Sequence, residues 1–494
     1  MDDCFIEIMS SDKQTPMRIM TRYIVLWVFV VASVASTWAQ HDIQVEMRGL
    51  SCEDNLVLAY RTGIKQYVQD SSICRNGIFH FAGNEKLPTG NYIVILPNKM
   101  FFDIIVSEKE DQTKYVFRTD TNLYADDIKV EGSLENEIFL ELGVYSALQN
   151  VAKNNLIAGV TADTDEATKQ EIKKKLEVLA NNIGQERDRL IMQYPDFFVS
   201  KLFKASVEVT IPDAPNGLDG EEARKYKYDW IREHYFDNID LTEKGLIRTA
   251  EYETAIKRYF DKYSPRDLDT VIAMVDAFLE KVKSEGCEEQ YRFATHLMIR
   301  HFEKVKRMCY DRVVWHMTQN YFCSGKADWV SEAYRQKLCD YSTDREYTLC
   351  GRQAPDINMP DTSFTNRVQL HGIDKAATIL VFWDIDCMHC KMEFPHLSKI
   401  YDTLTVNREE LEIYAVYLKK DYEGWKKFVT KNKYNFINVA NALEDDNYNE
   451  KYKIHATPQI FVLDRDKNIV YKDINVRDIP KILNHLVDLE KEVE

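Results

Sequence analysis

The 494-residue chain is short of positive charge: 64 Lys and Arg stand against 80 Asp and Glu, a formal net charge of −16. Nucleic acid and anionic membrane surfaces would repel such a chain, so neither is expected as a partner. A long apolar run is also missing. Tyr23 to Ala32 falls short of the roughly 20 residues a spanning helix needs, and no other stretch is apolar enough. No Cys follows that run, which argues against a lipid anchor. There is no repeat of fixed period, which excludes solenoids and propellers. Only one C-x-x-C occurs, Cys387 to Cys390, so a second pair to complete a zinc cluster is lacking.

What is present fits an exported globular protein. The length exceeds one hydrophobic core, and three domains of about 100–200 residues are expected. Apolar residues make up 45% and charged residues 29%, an ordinary soluble composition. Arg18 and Arg22 precede the short apolar run, and small residues at Thr37 and Ala39 suit cleavage before Gln40. Residues 1–39 are therefore read as a signal peptide and the chain as periplasmic, held at a membrane only if the leader stays uncleaved. Export permits disulfides. Cleavage would remove Cys4. Outside the C-x-x-C seven cysteines then remain, an odd number, so at least one stays free or pairs elsewhere.

Three regions follow along the chain. Over 40–130, short alternating segments such as Ile43–Met47 and Asn91–Leu96 predict strands, with Asn76-Gly77 as a hairpin turn and a β-sandwich as the fold. Cys52 and Cys74 lie in or beside these strands; a bridge and two buried thiols are equally open readings. Over 131–349 the pattern is α-helical. Leu268, Val271, Ile272, Val275, Phe278 and Leu279 recur at helical spacing behind a start at Ser264-Pro265-Arg266-Asp267, with Ser264 as N-cap. The stretch 290–318 reads as another helix. No C-x-x-C spacing links Cys287, Cys309, Cys323, Cys339 and Cys350, and most of them are expected to be small core residues. Over 350–494 strands and helices alternate, which implies an α/β layer fold.

The chemistry is expected in the last region. The apolar strand 378–383 ends, and Cys387-Met388-His389-Cys390 opens a helix. Residues three apart on a helix are neighbours, so the two sulfurs can meet. The first sulfur sits at the helix N-terminus, where unpaired N–H groups and the dipole favour the thiolate. Downstream, Ala456-Thr457-Pro458-Gln459 leads into a strand, a place for a cis X-Pro bond.

Strand, C-x-x-C, helix with Pro395 five residues after Cys390, and the late Thr457-Pro458 together resemble the thioredoxin superfamily. Gly351-x-x-Ala354-Pro355, an extra strand–helix insertion, and Glu393 three residues after Cys390 resemble its TlpA/ResA-like exported branch. The resemblance covers about 350–494. It implies a thioredoxin-like fold, with Cys387 as nucleophile, Cys390 as resolving thiol, Glu393 as active-site acid and Pro458 as the substrate-facing cis-proline. Protein thiols and disulfides would be its partners, with an upstream reductant, and no cofactor or metal is required. Thr457 would offer its backbone to an extended substrate, and Trp383 would line the site from the core. Two positions depart from the family pattern. Asp386 stands where Trp is usual, and a carboxylate there would oppose thiolate formation. His389 resembles the more oxidising members, whereas the branch as a whole implies a reductant.

Two other classes compete. Ala354-Pro355 also resembles the start of peroxiredoxins, but their Pro-x-x-x-Thr-x-x motif is absent before Cys387. A binding protein with a dead thioredoxin shell would have no reason to keep both cysteines and Thr457-Pro458. The expected function is thus disulfide exchange, with the first two regions holding partners or spacing the redox domain.

Overall fold

The structure is a computed structural model that describes residues 39–123, 126–161, 164–305, 307–407 and 411–483. The expected leader, apart from residue 39, lies outside the described residues. No described helix is long and apolar enough to cross a membrane.

The first strands alternate as a half-buried sheet should. In His41–Arg48, Ile43, Val45 and Met47 point inward. This strand sits between Ile78–Gly83 and Val116–Asp120 in a five-stranded sheet. A second, four-stranded sheet runs Lys65–Ser71, Val57–Thr62, Gly90–Ile95, Phe101–Val106. Ile43, Val45, Phe79 and Phe81 from the first share one core with Leu58, Tyr92, Val94 and Ile104 from the second. At the turn between Ile73–Arg75 and Ile78–Gly83, Asn76 and Gly77 both adopt positive φ, 53° and 82°. These residue types tolerate that region. Cys52 and Cys74 are bridged.

The central region is helical. Helix Leu134–Ala158 is capped by Ser133, whose side chain accepts from the Asn136 N–H. Asn136 in turn bonds both the N–H and the carbonyl of Ile105, docking the helix onto the second sheet. Helix Leu268–Glu285 begins later than expected. Its N-cap is Asp267, which accepts from the Thr270 N–H at 2.8 Å. Ser264 precedes a proline, is extended there, and ends the previous helix Ala250–Tyr263. The stretch read as one helix over 290–318 is two, Glu288–Lys304 and Asp311–Met317. The break falls where Cys309 takes a left-handed backbone, φ 69°.

Cys309 also corrects the reading that most of the helical cysteines are small core residues. It is bridged to Cys350, and Cys323 to Cys339, leaving Cys287 free. Sequence spacing carries no record of these pairs because each joins separate elements brought together by packing. The Cys309–Cys350 bridge ties the helical region to the start of the last one. Beside it, Lys472 pairs with Asp311 and donates to the Thr348 carbonyl at 2.9 Å. A cavity of about 560 Å³ opens at this junction, with Phe302, Trp315, Arg345 and Lys472 in its wall.

The last region is built on a five-stranded sheet ordered Ile437–Ala440, Leu411–Tyr417, Ala377–Trp383, Gln459–Leu463, Ile469–Lys472. The first three strands are parallel; Gln459–Leu463 runs against them, and Ile469–Lys472 runs against Gln459–Leu463 in turn. Ala377–Trp383 is buried at every residue, as a central strand covered on both faces must be. Ile379, Val381 and Trp383 pack under helix Met388–Asn407, while Leu380 and Phe382 face Tyr414, Val416 and Phe461 on the other side.

Candidate active site

The sheet brings two distant segments together. Phe382 pairs with Gln459 in antiparallel register. The chain leaving Trp383 therefore emerges beside the chain entering Gln459, and Thr457–Pro458, a cis bond, lies against the C-x-x-C turn. Asp384 makes that turn. Its Oδ1 accepts the Asp386 N–H at 2.9 Å, and its carbonyl accepts the Cys387 N–H at 3.3 Å. Asx side chains commonly close turns in this way. The helix then starts at Met388.

Cys387 is partly exposed, whereas Cys390 is only 1% exposed. The Cys387 thiol donates to the Thr457 carbonyl at 3.3 Å, and the Cys390 N–H donates to Cys387 Sγ at 3.4 Å. Partial burial alone would raise the Cys387 pKa. Hydrogen bonds with the Thr457 side chain and from the Cys390 and His389 backbone outweigh it and hold the thiol below its ordinary value. For Cys390, burial dominates and the neighbouring Cys387 adds to it, pushing the thiol up to about 12. The two sulfurs are thus electrostatically unequal: the outer one ionises readily and the inner one resists.

The other expected residues fall as follows. Glu393 is half-buried one turn beyond Cys390, and its Oε2 is buried with no hydrogen-bond partner among the described residues. Asp386 and His389 are exposed. The expected opposition of Asp386 to thiolate formation is not decisive, because the net shift at Cys387 is downward. Trp383 is 1% exposed and stacks on Phe394 with centroids 4.1 Å apart. Its ring belongs to the core under the helix rather than to an accessible substrate surface, because strand alternation turns it inward. Asp384 escaped the sequence reading. It is buried, and its Oδ2 lies 4.0 Å from Lys419 Nζ. An acid directly after a fully apolar strand was the available signal. Among the described residues, no group of three or more His, Cys, Asp or Glu is placed to hold a metal.

Comparison with known proteins gives two family matches. Residues 350–472 match the AhpC/TSA family, and residues 164–345 match a domain of unknown function, DUF5106. No curated protein matches the chain. Among solved structures it is similar to a domain described as a possible thiol-disulfide isomerase from Cytophaga hutchinsonii, with 31% identity over 30% of this chain and 97% of that one, TM-score 0.27. It is similar also to the thioredoxin domain of a thiol-disulfide oxidoreductase from Bacteroides vulgatus, with 27% identity over 28% and 97%, TM-score 0.26. A thiol:disulfide interchange protein from Bacteroides sp. shows 27% identity over 28% and 90%, TM-score 0.26.

Proposed function

The C-terminal part of the chain belongs to the thioredoxin superfamily, and on that premise we propose that this thiol–disulfide oxidoreductase is exported and reduces protein disulfides through Cys387 and Cys390. The observation that carries the reading is the unequal pair beside a cis-proline: an ionisable outer sulfur against Thr457 and a buried inner one.

In the reaction, the Cys387 thiolate attacks one sulfur of a substrate disulfide. That S–S bond breaks, a mixed disulfide forms, and the departing substrate thiolate takes up a proton. Cys390 then gives its proton to Glu393, whose Oε2 has no hydrogen-bond partner among the described residues, and attacks Cys387 Sγ. The second substrate thiol leaves. The substrate has gained two electrons, and the Cys387–Cys390 disulfide awaits an upstream reductant. The chain's own groups suffice for these steps. The expected leader supports a periplasmic location. The shared core of the two N-terminal sheets supports a β-sandwich, which together with the helical region would present or space the redox unit.

The test is trapping. A Cys390→Ser chain should accumulate substrate as mixed disulfides through Cys387. Trapping that persists after Cys387 is also replaced would overturn the assignment. The family name AhpC/TSA favours a second reading, peroxide reduction by Cys387; the Pro-x-x-x-Thr-x-x segment expected before a peroxidatic cysteine is absent.

A further inference from the structure

Helix Met388–Asn407 carries side chains that the exchange steps leave unused. Met388 is 70% exposed and Met392 54% exposed, and Pro395 is exposed as well. At 3.6 residues per turn, positions 388, 392, 395 and 399 fall within about 60° of one another. They form one apolar ridge that begins at the residue next to Cys387 and ends on Lys399. Lys391 and His396 flank it, and His389 stands beside its start, all exposed. Among the described residues neither Lys391 nor Lys399 forms an ion pair. The one acid of this first stretch of helix, Glu393, points to the other side and is half-buried. Asp386 is the exposed acid at the cysteine end.

Exposed apolar side chains in a cluster call for an occupant, and methionine adapts to varied partners. From position 388 to 395 the helix rises about 10 Å, the length of roughly three extended residues. A ridge of that length, starting at the reactive sulfur, matches a short polypeptide segment. Its basic margin is a local reversal of the chain's −16 charge and complements acidic side chains.

We propose that Met388, Met392 and Pro395, edged by Lys391 and Lys399, form the substrate subsite, which selects polypeptide disulfides flanked by apolar and then acidic residues. The inference rests on the redox reading of Cys387. Two disulfide-bridged synthetic peptides test it, each with Leu beside the cystine, one carrying Glu and the other Lys beyond. Hydroxyethyl disulfide serves as a small reference substrate. The reduced full chain should react with the Glu peptide with a second-order rate constant about tenfold higher than with the Lys peptide. Met392→Ser should lower the ratio of peptide rate to hydroxyethyl disulfide rate about tenfold, and Met392→Leu should restore it. Lys391→Glu with Lys399→Glu should invert the charge preference. Equal rates on both peptides, or an unchanged ratio in Met392→Ser, would overturn the subsite while leaving the redox reading intact. A chain inert to hydroxyethyl disulfide as well as to both peptides would overturn the redox reading and the subsite with it.

Discussion

The Cys387 thiol and the Thr457 carbonyl lie 3.3 Å apart although 70 residues separate them in sequence. The contact exists because the antiparallel strand Gln459–Leu463 enters the sheet beside the exit of Ala377–Trp383. It fixes which sulfur meets solvent and which is sealed under the helix.

That inequality sets a pH dependence. Alkylation of the reduced chain should modify Cys387 first, with a midpoint below the ordinary thiol value of about 8.5, while Cys390 should stay unreactive until near pH 12. The sign for stability follows. A lowered pKa in the folded state makes Cys387 stabilising above its ordinary value, and this contribution is lost as pH falls through the lowered value. Cys390 does the opposite: as pH rises from the ordinary value towards about 12, the buried thiol that must stay neutral costs stability. Mass mapping of alkylated peptides across pH checks both, and faster labelling of Cys390 would reverse the roles.

Glu393→Gln should slow resolution rather than attack. The glutamine keeps the shape but cannot take the Cys390 proton. The mixed disulfide should persist in single-turnover quenching, with resolution slowed by about tenfold to a hundredfold and the first step little changed. An equal slowing of both steps would give Glu393 a merely structural part.

Much of this site was legible because its chemistry is local. The C-x-x-C stands at a strand–helix junction, and Thr457-Pro458 stands before a strand, so type and order of residues suffice. Asp384 was missed because its part depends on burial and on Lys419, which only the sheet brings near. The short parallel strand Ile437–Ala440 was missed because Asn438 breaks the apolar pattern; in the fold its amide bonds the carbonyls of Tyr434 and Phe436. The helix start moved from Ser264 to Asp267 because two capping residues compete there and the proline decides. The Cys52–Cys74 bridge was one of two open readings, whereas the partners in the helical region were out of reach for a different reason, since pairing there is a property of packed elements and not of spacing.

The two acids before Cys387 should differ in their hold on the reduction potential. Both negative charges oppose the thiolate, but Asp384 is buried and Asp386 is exposed and screened by water. Asp384→Asn should stabilise the reduced form and shift the pair towards oxidising values by about 15–30 mV, a severalfold to tenfold change in the exchange constant. Asp386→Asn should shift it less. The unmodified pair is expected on the order of −200 to −270 mV, between isomerase-like and thioredoxin-like values. Glutathione equilibration measures all three; a value near −120 mV for the unmodified chain would contradict the reductant assignment.

The bridges make a countable prediction. Of ten cysteines, six are bridged, as Cys52–Cys74, Cys309–Cys350 and Cys323–Cys339. Four remain. Cys4 belongs to the expected leader, so a cleaved chain with a reduced active site should titrate three thiols after denaturation, Cys287, Cys387 and Cys390. A fourth thiol would mean a retained leader, which mass analysis of the N-terminus confirms or rejects separately. The bridge between Cys309 and Cys350 closes a loop across 41 positions and joins the helical region to the redox region. Restricting the unfolded chain in this way contributes about 2–4 kcal/mol. Replacing both cysteines by Ser should therefore lower the unfolding temperature of these regions by about 5–15 °C. The Lys472–Asp311 pair and the Lys472 bond to Thr348 would still hold the junction, so activity on a small disulfide at room temperature should survive. An unchanged unfolding temperature would show that the bridge does not constrain the junction.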